Sequence, residues 1–223
     1  MNGGTVAAPC GRDRADQQER DRARNGPDAT DDSSGPGAPT TAGAVRAGSE
    51  VHAAPCRRLV VLRHAKSAWP DVPDEERPLA DRGLRDAPAA GRWLREAGIR
   101  PDAVVCSPTL RTRQTWELVS GELGAPPERL VFDERVYGAG GARLLEVVRQ
   151  LPDEWRCVLL VGHQPGVQEL VLALAGDVGG KVARKFPTAG IAVLALDGPW
   201  ARAVEGAARL SAFVAPRGQA GPG

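Results

Sequence analysis

The chain has 223 residues, enough for one ordinary domain plus a tail, and its 29 Lys and Arg against 28 Asp and Glu leave a net charge of +1. That balance argues against a general nucleic-acid binder, which shows a basic excess. No apolar run approaches the ~18 residues of a membrane span, and no secretory pattern is visible at the N-terminus, so a cytoplasmic protein is expected.

Residues 1–55 contain no Leu, Ile, Phe, Trp or Tyr. Such a segment buries too little apolar surface to offset its ordering entropy and is predicted to be a disordered tail. A partner-binding arm and a stretch upstream of the true start are both open readings of it. From Arg57 short apolar runs alternate with helical patterns. The first strand, 58–63, runs into Arg63-His64. A loop carrying Trp69 leads to a helix over 81–97, which Gly83 and Pro88 weaken or kink. A strand over 103–106 precedes a helix over 108–123, with Ser107 as N-cap, Pro108 at the first helical position and Gly124 past its end. A strand at 129–133 and a helix at about 140–150 follow. The strand 157–162 ends at Gly162-His163. The next helix, 165–175, starts at Pro165-Gly166, buries Val167, Leu170, Val171 and Leu174, and stops at Gly176. Strands 191–196 and 210–214 have only a loop between them, so one is expected to be antiparallel at the edge. Residues 216–223 read as a second disordered tail. The alternation predicts one α/β domain over 56–215, a three-layer α/β/α sandwich around a mostly parallel sheet of about six strands.

The four cysteines, Cys10, Cys56, Cys106 and Cys157, are too far apart for a Cys-x-x-Cys pair, so neither a zinc knuckle nor a redox motif is indicated. Cys106 and Cys157 read as small buried hydrophobes. No heptad or large apolar stripe marks the exposed helix faces, so a monomer is the default expectation.

Chemistry-bearing residues collect at predicted strand ends, where open α/β sheets bind ligands. Of three histidines, His52 lies in the tail, while His64 follows the first strand and His163 the fourth. Arg63 stands beside His64, Ser107 to Arg111 follow the second strand, and Asp133 and Glu134 follow the third. Each has a bland reading taken alone: a surface arginine, a satisfied histidine, an exposed charge cluster. Converging, they suit a phosphoryl group. Arg forks pair with phosphate oxygens, a histidine with a free ring nitrogen attacks phosphorus, and helix starts at 108 and 165 add backbone N–H donors.

Four motifs occur in a recognisable order: Leu-Arg-His-Ala-Lys-Ser (62–67), Arg-Pro-Leu-Ala (77–80) followed by Gly83, Ser-Pro-Thr-Leu-Arg-Thr-Arg-Gln-Thr (107–115) and Val-Gly-His-Gln-Pro-Gly (161–166). Over about residues 57–215 the chain resembles the histidine phosphatase superfamily, the phosphoglycerate-mutase-like group, and within it the SixA-type phosphohistidine phosphatases. The resemblance implies that His64 is a nucleophile that becomes phosphorylated. It implies that Arg63, Arg77, Arg111 and His163 hold the phosphoryl group. Glu134 falls where many members place an acidic proton donor, with Asp133 competing for that role. Where the wider superfamily often has Gly after the catalytic histidine, this chain has Ala65. No metal or other cofactor is expected, because the Arg and His cluster supplies the positive charge.

The stretches from His64 to Arg111 and from Glu134 to His163 leave no room for a large helical lid. An uncapped pocket suits phosphate presented on a bulky partner, such as phosphohistidine on a protein. The expected activity is therefore phosphohistidine hydrolysis through a covalent intermediate. A small-molecule phosphomonoesterase or mutase-like enzyme, and a catalytically silent phosphate-binding module, are the alternatives. The expected partner is a phosphorylated protein or a small phosphomonoester, with no nucleic acid and no membrane. Trp69 is either a substrate-contacting aromatic or a packing anchor for its loop.

Overall fold

The computed structural model describes residues 56–127, 129–176 and 181–218. The predicted tail over 1–55 and the last residues of the C-terminal tail lie outside them. Six strands form one sheet: β1 (Arg57–Arg63), β2 (Ala103–Cys106), β3 (Arg129–Phe132), β4 (Cys157–Gly162), β5 (Ile191–Leu196) and β6 (Ala208–Val214). Their spatial order is β3-β2-β4-β1-β5-β6. The β1–β4, β2–β4 and β2–β3 pairs are parallel, while β5 is antiparallel to both β1 and β6. The antiparallel strand expected at the edge is thus β5, one place inside it. Its partner β6 turns back at the edge to run with the rest.

Period-2 alternation sorts side chains onto the two faces of the central strand. Leu59 and Val61 of β1 join one apolar cluster, with Val167, Leu170, Val171 and Leu174. Val60 and Leu62 join the other, with Ala90, Leu94, Trp116 and Val119. Helices α1 (Asp81–Glu96) and α2 (Leu110–Ser120) therefore cover one face. Helices α3 (Gly141–Arg149) and α4 (Gly166–Ala175) cover the other. A four-residue α5 (Lys181–Arg184) follows α4. None of the described helices is long and apolar enough to cross a membrane.

Helix α1 runs through Pro88 as one element. A Cβ at Gly83 would lie 2.2 Å from the Lys66 carbonyl oxygen, so glycine lets α1 approach the loop after β1. Helix α2 starts two residues later than predicted, with Thr109 at the N-cap and no side-chain cap bond. Ser107 does not cap it, because its hydroxyl is engaged by His163. The helix also ends at Ser120, and Gly124, at φ +75°, serves the turn beyond. Strand β3 is exposed on every residue, Leu130 and Phe132 included, at the sheet edge.

At the other end, Pro216–Gly218 are not detached from the domain. Arg217 Nη1 lies 3.0 Å from Asp86 Oδ2 on α1, and the Gly218 N–H donates to Asp86 Oδ1.

Candidate active site

Register places the two histidines side by side. Arg63 at the end of β1 is level with Gly162 at the end of β4, so the next residues, His64 and His163, emerge from adjacent parallel strands with ring centroids 5.1 Å apart. On the far side of β4, Cys106 is level with Val161. Ser107 therefore follows at the same height, and its Oγ lies 2.8 Å from His163 Nε2. Both histidines are buried, each 8% exposed. They form the floor of an open cleft of about 390 Å³, whose walls include Arg63, Lys66, Asp74, Arg77, Arg111 and Tyr137.

The loop after β1 is laced to the Arg-Pro-Leu-Ala segment. The Ala68 N–H donates to the Pro78 carbonyl, and the Ala80 N–H donates to the Lys66 carbonyl. Arg77 enters the cleft from this brace, with Nη2 on Ser67 Oγ at 2.8 Å and Nε on the Ala68 carbonyl. Its guanidinium carbon lies 3.2 Å from the centre of the Trp69 ring. Trp69 is 77% exposed on the rim, so it stacks on Arg77 and is wetted on its outer side, free to meet a substrate.

The Ser-Pro-Thr-Leu-Arg-Thr-Arg-Gln-Thr segment is largely scaffolding for the one arginine it presents. Thr112 Oγ1 donates to the Ser107 carbonyl, Gln114 Oε1 accepts from the Leu79 N–H, and Thr115 Oγ1 accepts from the Ala65 N–H. Arg111 is buried and aims its fork at Asp74: Nη2 lies 2.8 Å from Oδ2, and Nη1 donates to the Asp74 backbone carbonyl. Asp74 also accepts from Arg77 Nη1 at 2.8 Å and from the Tyr137 hydroxyl at 3.0 Å. The Ala65 methyl group packs with Leu79, Ala87 and Ala189. Ala189, at a positive φ of 54°, donates its N–H to the His64 carbonyl. A non-glycine residue rarely adopts that backbone conformation, and here it meets the backbone of His64.

The electrostatics follow from burial among cations. Burial lowers the His64 pKa to about 4, opposed by the bond to the Ala65 carbonyl and helped by the charges of Arg111, Arg63 and Arg77. Burial likewise lowers His163 to about 3, helped by His64 and Arg111. Asp74 moves down to about 2: burial opposes ionisation, but bonds from Arg77, Arg111 and Tyr137 outweigh it. At neutral pH the cleft therefore holds two neutral imidazoles, an ionised carboxylate and a set of guanidinium ions. His64 Nδ1 lies 2.7 Å from the Ala65 carbonyl oxygen. A carbonyl only accepts, so the neutral ring carries its proton on Nδ1 and leaves a lone pair on Nε2.

Residues 59–156 match the family model of the histidine phosphatase superfamily, branch 1. An uncharacterized protein of Mycobacterium tuberculosis H37Rv is 42% identical over 163 residues, spanning 70% of this chain and 100% of the relative. The phosphohistidine phosphatase SixA of Escherichia coli K12 is 28% identical over 141 residues, covering 63% of this chain and 86% of SixA. Among solved structures, a Nakamurella multipartitia protein described as a SixA phosphohistidine phosphatase has 32% identity and a TM-score of 0.65. It aligns with 72% of this chain and 96% of its own.

This chain belongs to the histidine phosphatase superfamily.

As a histidine phosphatase it carries five of the six expected site residues in or at one cleft: Arg63, His64, Arg77, Arg111 and His163. Glu134 is not among the residues lining it. Glu134 is exposed at the start of a 3-10 turn, Glu134–Val136, and the neighbouring Asp133 carboxylate is taken by Arg135. The carboxylate in the cleft is Asp74, which sequence reasoning missed along with Tyr137. Asp74 opens a 3-10 turn, Asp74–Glu76, in an acidic stretch with Asp71, and no sequence signal separates it from those neighbours. Its spacing of three before Arg77 was the only available hint.

The lowered histidine pKa values give a direct measurement. NMR titration of the free phosphatase should show His64 and His163 neutral and unchanged from pH 8 to pH 5, with His64 protonating near 4. His64 should carry its proton on Nδ1. The unfolded chain takes up these protons near the ordinary value of about 6.5, before the folded one does. The two histidines therefore cost stability as pH falls from about 6.5 towards 4. A His64 midpoint at 6 or above would overturn this account of its environment.

Proposed function

We propose that this phosphatase hydrolyses the phosphoramidate bond of phosphohistidine on proteins, through a covalent intermediate on His64. The observation that carries the reading is the cleft's carboxylate, Asp74, whose oxygens are taken by Arg77, Arg111 and Tyr137. Among the described residues lining the cleft, Asp74 is the one carboxyl group. A group ionised down to about pH 2 has no proton to donate at neutral pH. An alkoxide leaving group from a sugar phosphate needs such a donor. An imidazole leaving group does not: with its second ring nitrogen protonated before the phosphorus–nitrogen bond breaks, it departs as neutral imidazole.

In the proposed sequence the His64 Nε2 lone pair forms a bond to phosphorus as the bond to the leaving nitrogen breaks. Arg63, Arg77 and Arg111 offset charge on the phosphoryl oxygens. His163 Nδ1 is buried without a hydrogen-bond partner among the described residues. With the Ser107 hydroxyl donating to Nε2, Nδ1 carries the ring proton and donates a hydrogen bond to a phosphoryl oxygen. Water then bonds to phosphorus, the His64–phosphorus bond breaks, and His64 returns to neutral imidazole with release of inorganic phosphate. The open cleft and the exposed Trp69 suit a phosphorylated side chain presented on a protein surface.

The test is phosphate release by purified protein from a phosphohistidine-bearing protein, from para-nitrophenyl phosphate and from an alkyl phosphate. The expected order is phosphohistidine first, the aryl ester next and the alkyl ester far behind, by about 10²-fold or more for want of a general acid. An alkyl phosphate turned over as fast as phosphohistidine would overturn the reading.

A further inference from the structure

Beside the catalytic cleft lies a second cavity of about 260 Å³ that shares Arg63, Lys66 and Thr188 with it as a common wall. Its remaining lining includes Arg82, Lys185 and Arg217. Five cationic side chains and no acidic one thus line a space large enough for a second charged group. The cations come from five places in the sequence: the end of β1, the loop after it, the first turn of α1, the segment before β5 and the segment after β6.

The wall is held in place. The Asp86 side chain, 3% exposed, lies under it and takes Arg82 Nε at 3.3 Å and Arg217 Nη1 at 3.0 Å. Arg217 Nη1 also donates to the Thr188 carbonyl at 2.8 Å, and Arg63 Nη1 donates to the Phe186 carbonyl at 2.7 Å. Lys66 and Lys185 form no ion pair among the described residues. One carboxylate against five cations leaves a strong local positive field in a chain whose overall charge is +1. Like charges brought together at a cost are stabilised when an anion joins them.

We propose that this basic pocket binds a second anionic group of the substrate while the phosphoryl group sits at His64. The substrate class is thereby narrowed to phosphorylated molecules with a neighbouring negative charge. On the phosphohistidine reading, on which this builds, that charge is an acidic residue beside the phosphorylated histidine. A second phosphate on a small molecule offers the same chemistry.

Two matched pairs of substrates separate the sources: phosphohistidine peptides with acidic or with uncharged flanking residues, and a sugar bisphosphate with its monophosphate. Each is tested on the wild type and on a double variant, Arg82→Ala with Lys185→Ala, neither of which lines the catalytic cleft. The wild type should favour the doubly anionic member of a pair by roughly tenfold in kcat/KM, through KM. The variant should shrink that preference to about twofold, and so should 0.5 M salt, which screens partly exposed charges. Turnover of para-nitrophenyl phosphate should stay within about twofold of wild type and shows that the variant is folded.

A preference confined to the sugar pair would uphold the pocket and refute the phosphohistidine reading. Equal rates within both pairs, or a preference that survives in the variant, would overturn the pocket. Binding of the unphosphorylated acidic peptide to His64→Ala protein, lost on adding the two substitutions, reads the pocket without turnover. Absence of that loss would count against it.

Discussion

His64→Ala should reduce phosphate release to the uncatalysed background, a loss of about 10³-fold or more from removal of the nucleophile. The side chain it removes is singled out by geometry. Its Nδ1 proton is tied to the Ala65 carbonyl, its Nε2 lone pair is left free, and burial keeps it unprotonated far below neutral pH. The neighbouring His163 is held differently, with its Nε2 2.8 Å from Ser107 Oγ. The companion measurement is a trap. Wild-type protein quenched in alkali during turnover should carry a base-stable, acid-labile phosphoryl group on His64, and the variant should carry none. Release by the variant within tenfold of wild type, in protein shown to be folded by circular dichroism, would remove the covalent mechanism.

Arg111→Ala should lower kcat/KM by about 10²–10³-fold, the usual cost of losing a charged donor aimed at the transition state. Arg111 is buried at the start of α2, and its fork is already pre-aimed by Asp74 before any substrate arrives. Arg111→Lys should recover little of the loss, since an ammonium ion cannot reproduce the planar fork. The loss should appear in kcat as well as KM, because a guanidinium that meets charge developing in the transition state does more than bind the ground state. A change confined to KM would make Arg111 a binding residue alone.

The site residues that pattern alone reached share one property: each ends or directly follows an apolar run or opens a helix after one, whereas Arg77 came from the motif resemblance. His64 and His163 leave β1 and β4, which the sheet makes neighbours, and Arg111 stands in the first turn of α2. Strand ends are legible because hydrophobic periodicity marks where a strand stops. Asp74 and Tyr137 come from loops with no periodicity, and only the folded chain brings them to Arg111 and His163. Glu134 illustrates the converse. It follows a strand as the others do, but β3 is at the sheet edge, and strand order is a long-range property that local alternation does not encode. The same limit hid the exposure of Leu130 and Phe132 on that strand. Arg217 was read as tail because Ala215 to Gly223 has no apolar pattern. A buried carboxylate on α1, not apolar packing, holds it to the domain.

Asp74 bears on how long inorganic phosphate stays after the reaction. Two of the arginines proposed to hold the phosphoryl group, Arg77 and Arg111, are already shared with this carboxylate. Product therefore leaves an arginine pair that has another anion to return to. A cleft with free guanidinium ions would hold phosphate more tightly and empty more slowly. On the proposed mechanism, an anion kept beside the floor trades some grip on product for a faster return to the state in which His64 is open to the next substrate.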